Sequence, residues 1–307
     1  MDPTEQEISW AIAIRDAASK DPDIDASSVT DLEFLQHAIV AKDKVDNAIH
    51  RIKRVQSFKT RHGIKLDGSY EEGMRDLKKY LDMFPGFFLS VAGLPDHTHV
   101  LCANFSKFYK KALKATGEEG WFVLIRGFFY LLQACQPNVA SMRSGLVYMA
   151  DVQNAGFANF SLRVEERVAS VYSNAYPIRI TKMAVLNAPF IACLFFRLWR
   201  FFVSPKIMQT FDFAGNRDAY LTEKWHDVTA SDEKRAYNKD SSFAGKSSPE
   251  TTTTKSTGGP FAPQVLPAEW GGDLELESLY TTLGQKLKER YNWAAIFKLP
   301  GKNDENS

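Results

Sequence analysis

His97 and His99 form a His-x-His pair, and the acid beside them is Asp96. Two imidazoles and one carboxylate on neighbouring residues fall short of the closed ligand sets of zinc sites, and the pair is expected in an exposed loop. Cys102, Cys135 and Cys193 are odd in number and far apart, so they make neither a disulfide ladder nor a zinc pattern. The chain has no phosphate-cradling G-x-x-x-x-G-K-[ST], no G-x-G-x-x-G and no G-x-S-x-G. No paired carboxylates or activated nucleophile stand out, and an enzyme needs such tuned acids and bases around a polar reacting centre. The expectation is a protein that is not an enzyme and holds no metal or cofactor.

The most distinctive segments are apolar. YPIRITKMAVLNAPFIACLFFRLWRFFV, residues 176–203, heads them. A bilayer span needs about 20 consecutive apolar residues. The longest uncharged run here, Met183 to Phe196, is shorter, contains Asn187 and Pro189, and is closed by Arg197 and Arg200. TKMAVLN reads as a buried strand stopped at Asn187-Ala188-Pro189. PFIACLFFRLWRFFV reads as a helix apolar on most of its faces, which must be covered by protein, membrane or ligand.

Those segments need elements to position them. Thr30 or Asp31 caps a helix carrying Leu32, Leu35 and Ile39, and Asp43 is expected to cap a second with Val45, Ala48, Ile49 and Ile52. MRDLKKYL is amphipathic up to Pro85-Gly86, a strand is expected near His99–Asn104, and WFVLIRGFFYLLQAC (121–135) reads as a buried helix. Gly145 to Asp151 reads as a strand, Ser161 to Asn174 as a helix, and Thr210 to Ala214 as a short strand. Strands alternating with helices predict an α/β sheet. About 236–260 is Ser/Thr/Lys-rich and too polar to offset its ordering entropy, so it is expected as a disordered insert. A last amphipathic helix carries Leu276, Leu279, Tyr280, Leu283 and Leu287. The net charge of +1 gives no general pull towards nucleic acid. The start, MDPTEQEIS, has no basic or apolar leader character, which predicts a cytosolic protein, peripheral at membranes. Asn104-Phe-Ser and Asn159-Phe-Ser match glycosylation acceptors without meaning in that compartment.

Four blocks, in order, resemble the CRAL-TRIO lipid-binding and transfer family, which includes retinaldehyde-binding, tocopherol transfer and fungal phosphatidylinositol transfer proteins. They are FLQHAIVAKDKVDNA (34–48), GLVYMADVQNAG (145–156), the stretch from Tyr176-Pro177 through Asn187-Ala188-Pro189 to FDFAG, and LPAEWGG (266–272). Ala41 and Asp43 depart from the first block's usual residues, and the polar insert is longer than the family's connection. The resemblance implies an α/β fold with an N-terminal helical lobe (1–72) and a mixed-sheet domain (73–275) enclosing a hydrophobic cavity. A C-terminal helix and tail (276–307) follow. Pro189–Val203 would be a gate, covered by ligand when shut and by bilayer when open.

The resemblance places the ligand pocket at Leu146, Tyr148, Ala150, Phe190, Cys193, Leu194 and Phe201. Basic contact with an anionic membrane or phosphoinositide falls to Lys42, Arg179, Arg197, Arg200 and Lys206. Leu146 and Tyr148 stand where phosphatidylcholine-binding members carry short hydroxyls. Ile178 and Thr210 stand where phosphatidylinositol-binding members carry an acid and a lysine. Burying a phosphate without charged donors is costly, so a neutral lipid is expected: a sterol, tocopherol, retinoid, carotenoid or similar molecule. Tyr148 either donates one hydrogen bond to its polar end or is a core residue bonded to backbone. The arginines either dock to membrane or form a solvated face. The resulting expectation is a monomeric cytosolic carrier whose partners are a lipid and, transiently, a membrane, with no nucleic acid. The alternatives are a phospholipid or phosphoinositide transfer protein, and a scaffold that transports nothing.

Overall fold

Thr4 and Thr30 each start a helix by closing a capping box, with Glu7 and Glu33 returning the bond to the cap backbone. The computed structural model describes residues 2–66, 68–84, 87–90, 99–107, 117–156, 159, 161–172, 176–188, 210–215 and 276–301. The two capped helices are α1 (Glu5–Lys20) and α2 (Asp31–Ala41). Ala11, Ile14 and Ala18 recur at helical spacing and are fully buried, although the polar start of the chain gave no expectation of α1. α3 spans Val45–Arg61, and its N-cap is Lys44, without a side-chain bond. Asp43 therefore does not cap it: Asp43 stands one position too early, and its backbone carbonyl, not its carboxylate, accepts from Val45 N. Leu32, Phe34, Leu35, Ala48 and Ile52 close the core of this lobe with Ile14. Each large side chain buried there contributes about 1.5–3 kcal/mol.

α4 (Tyr70–Met83) begins at Ser69, whose side chain accepts from Glu72 N. The Pro85-Gly86 break then leads to β1 (Phe87–Ser90), a strand the sequence reading left unassigned. β2 is His99–Asn104, α5 Gly117–Ala134, α6 Val139–Ser144, β3 Leu146–Asp151 and α7 Leu162–Ser170. β4 (Ile180–Leu186), β5 (Phe211–Ala214) and α8 (Leu276–Ile296) complete the described elements. The five strands lie in the order β1-β2-β3-β4-β5, with β1 antiparallel to β2 and the other three pairs parallel. The chain is thus α/β, with helices against a mixed sheet.

α4 crosses α5 at close range. A Cβ on Gly127 would lie 2.0 Å from Tyr80 Cβ, so only glycine permits this approach. α8 packs against α4, α5 and β1, and it also reaches α2. The contact with α2 includes a buried polar cluster. Arg290, 4% exposed, donates from Nη2 to Gln36 Oε1 at 2.6 Å and from Nη1 to Gln136 O at 2.8 Å. Gln36 Nε2 donates to Gln136 Oε1 at 2.7 Å and to Pro177 O at 2.9 Å. The first lobe, the end of α5, the Tyr176-Pro177 corner and the last helix meet in this cluster.

Candidate functional site

Side chains alternate across a sheet, so the register decides what each face carries. One row runs Leu101, Tyr148, Met183, Phe211 across β2, β3, β4 and β5. The next row is Ala103, Ala150, Val185, Phe213, with the Phe211 and Phe213 rings stacked 6.1 Å apart. In the preceding row Leu146 opposes Ile180. Above this face α5 contributes Phe128 and Leu132, α7 contributes Val168, and Phe105 and Tyr172 close the sides. Together they enclose an apolar chamber. Its free space is about 520 Å³ with the open side included, of which only about 30 Å³ admits the centre of a water. A lipid therefore enters only if the walls part, since ligand sites generally measure about 300–1,000 Å³.

Among the described lining residues none is charged, and the polar atoms are the Tyr148 and Tyr172 hydroxyls. The register shift between Leu146 and Val147 explains part of this. Leu146 opposes Ile180 but Val147 opposes Lys182, so Thr181 is the extra residue. Thr181 Oγ1 donates to Leu146 O at 3.2 Å. Lys182 then points to the far face and pairs with Asp212 at 3.4 Å, while Met183 and Val185 face the chamber. Gly145 fixes the entry. Its φ is +79°, and a Cβ there would lie 2.6 Å from Arg179 O, which accepts from Leu146 N at 2.8 Å.

At the other end of the strands two sequence blocks meet. Asp151, 3% exposed, accepts at Oδ1 from Asn187 Nδ2 at 3.1 Å and from Gln153 N at 2.8 Å. Asn187 has φ +53°, a left-handed conformation that asparagine tolerates. The Asp that ends β3 thus holds Asn187, the residue that follows β4.

Of the predicted pocket residues, Leu146, Tyr148 and Ala150 line the chamber. Phe190, Cys193, Leu194 and Phe201 lie outside the described residues, as do Arg197, Arg200 and Lys206, the gate segment, the 236–260 insert and LPAEWGG. Lys42 is exposed just beyond α2, with φ +57°, and Arg179 is exposed just before β4. The sequence reading did not name Leu101, Phe105, Phe128, Leu132, Val168, Tyr172, Ile180, Met183, Val185 or Phe211 as lining residues. Strand alternation from Tyr148 points to Leu146 and Ala150, but the cross-strand partners depend on register.

The His-x-His pair is not an exposed loop pair: His99 is 3% exposed at the start of β2, and His97 lies outside the described residues. The described residues hold no group of three or more His, Cys, Asp or Glu placed to bind a metal. No helix among them is long and apolar enough to cross a membrane. Burial pushes the Cys102 and Cys135 thiols well above their ordinary range, which makes them unreactive. Asn159 is buried and ties its loop down: it accepts from Gly156 N at 2.9 Å and donates to Ser106 O at 3.1 Å.

Residues 95–227 match the CRAL/TRIO domain family. A stretch of 67 residues is 31% identical to tyrosine-protein phosphatase non-receptor type 9 of Mus musculus, and the Homo sapiens and Rattus norvegicus proteins match equally. That stretch is 22% of this chain and 11% of each relative, so the chain matches about a tenth of the length of these curated relatives. The crystal structure of Sfh5 aligns with 72% of this chain and 84% of its own, at 10% identity and a TM-score of 0.49.

Proposed function

We propose, from the match of residues 95–227 to the CRAL/TRIO domain family, that the chain is a carrier that holds one neutral hydrophobic lipid between its sheet and helices and exchanges it at membranes. The observation that carries this reading is the continuous apolar face of Leu101, Leu146, Tyr148, Ala150, Met183, Val185 and Phe211, with no charged side chain among the described residues around it. Each methylene leaving water gains about 0.8 kcal/mol. The gain is similar in a bilayer and in such a chamber, so transfer between them runs close to neutral. The uncharged lining favours a sterol, tocopherol, retinoid or carotenoid over a buried phosphoinositide, whose phosphates would need charged donors. Tyr148 stands opposite Met183 in the central row, and on this reading it meets the polar end of such a guest.

On this reading the protein works as a cytosolic monomer and not as an enzyme. Pro189–Val203 serves as the gate, with Phe190, Cys193, Leu194 and Phe201 against the lipid. Lys42, Arg179, Arg197, Arg200 and Lys206 face an anionic leaflet, each adding about 1 kcal/mol where it comes close. Changing Arg179 and Lys206 to Glu should weaken binding to anionic vesicles; equal binding would remove the docking role.

The test of the carrier is direct. The protein is purified from cells and extracted with organic solvent, and the extract is analysed by mass spectrometry. One neutral lipid per chain is expected, with less in Tyr148→Trp, whose larger ring fills the chamber. No bound lipid, together with no uptake from labelled vesicles, refutes the proposal.

A further inference from the structure

A second hollow lies behind the chamber, on the outer sides of α5 and α7. It measures about 800 Å³ and is walled by the end of α3, the first turns of α5 and the exposed side of α7. The two helices divide their faces. Phe128, Leu132 and Val168 look into the apolar chamber, while Trp121, Ile125, Arg163 and Arg167 look into this groove.

We propose that the groove is a binding site for a phosphate ester, with Arg163 and Arg167 as its principal contacts. The two arginines are four residues apart and share one face of α7. Both guanidiniums lie over the Trp121 indole, with Cζ 5.0 and 4.4 Å from the ring centroid. Stacking holds each fork in place without neutralising it, and the N–H donors at its edge stay available in the geometry that suits phosphate. Arg61, from α3, adds a third guanidinium. Among the described residues none of the three forms an ion pair with a carboxylate. Glu118 and Glu166 also line the groove, so it selects a ligand whose negative charge is concentrated at one end. Phe122, 42% exposed and edge-on to His62 at 6.4 Å, offers apolar surface to the organic part. Pre-ordered guanidiniums that pair with no carboxylate among the described residues, in a concave site of ligand size, distinguish this groove from a solvated basic face. The inference is independent of the lipid reading.

The experiment uses the full chain and inorganic pyrophosphate, titrated calorimetrically at low ionic strength. Binding is expected, weakening as salt is added, and falling at least tenfold in Arg163→Gln/Arg167→Gln. Lys78→Gln, on the exposed side of α4 and outside the groove, should bind as the parent does. A second arm pellets the protein with vesicles of phosphatidylcholine containing phosphatidic acid, with and without pyrophosphate. Pelleting that pyrophosphate reverses assigns the site to a lipid headgroup, and pyrophosphate binding without pelleting assigns it to a soluble phosphate ester. If the double variant melts well below the parent, the single exposed Arg163→Gln replaces it. Equal affinity in parent and variant, or neither probe binding, overturns the proposal.

Discussion

Replacing Arg290 by Met would test the buried polar cluster that joins the last helix to the first lobe. Met fills most of the arginine's volume but donates nothing. Gln36 Oε1 and the Gln136 carbonyl, now accepting at 2.6 and 2.8 Å, belong to fully buried residues and would lose their donor. Each stranded acceptor costs about 1–3 kcal/mol. Against that, the variant no longer buries a guanidinium, and burying a charge is itself unfavourable. A net loss of about 3 kcal/mol is expected. At about 2 °C per kcal/mol for a large domain, melting should fall by about 6 °C. The assay is thermal or urea unfolding followed by far-ultraviolet circular dichroism. Gln36→Leu removes one of the stranded acceptors, so Arg290→Met with Gln36→Leu should lose less than the sum of the two single changes. A variant melting within 1 °C of the parent would refute the idea that this arginine holds the lobes together. So would strictly additive losses.

Three further outcomes follow from the same structure. Burial, with Arg51 nearby, lowers His37 from 6.5 to about 3, so the native ring stays neutral where the unfolded one takes a proton. Stability should therefore rise with pH between about 3 and 6.5, by up to about 1.4 kcal/mol per unit, and His37→Asn should flatten that rise in urea titrations across pH. Burial opposes ionisation of Glu7, but hydrogen bonds with Arg143 and Thr4 outweigh it and hold its carboxyl below 4.5. The Glu7–Arg143 link between α1 and α6 should loosen as pH falls below about 4.5, seen as faster amide exchange in α1, and Glu7→Gln should show that faster exchange already at neutral pH. Gly127→Ala should destabilise by about 1–3 kcal/mol or more, because the new methyl overlaps Tyr80 unless α4 and α5 separate; an unchanged unfolding midpoint would contradict the close crossing.

Much of the architecture was legible because local signals and burial agreed. β3 and β4 read as short apolar runs bounded by Gly145 and Asn187, and both are there. α5 read as a buried helix from WFVLIRGFFYLLQAC and begins four residues earlier, at Gly117. α1 escaped notice because its buried residues are mostly small and lie among charges. β1 escaped because four residues after a Pro-Gly break carry little period. At the site, Leu146, Tyr148 and Ala150 came from one strand, where alternation suffices. Leu101, Met183 and Phe211 share their row only through three pairings that no local pattern records. Arg290 and Gln36 are 254 residues apart, and nothing in either neighbourhood announces the other.

The irregularity in β4 has a consequence out of proportion to its size. Thr181 lines nothing, yet it sets the phase of every residue after it. Pair it in the ladder, as an unbroken strand would, and the strand would turn over: Lys182, Ala184 and Leu186 would look inward, and Met183 and Val185 outward. An ammonium group would then stand in an oily hollow with its partner Asp212 on the wrong side of the sheet. The greasiness of that wall is thus owed to one small threonine, which acts by standing outside the count.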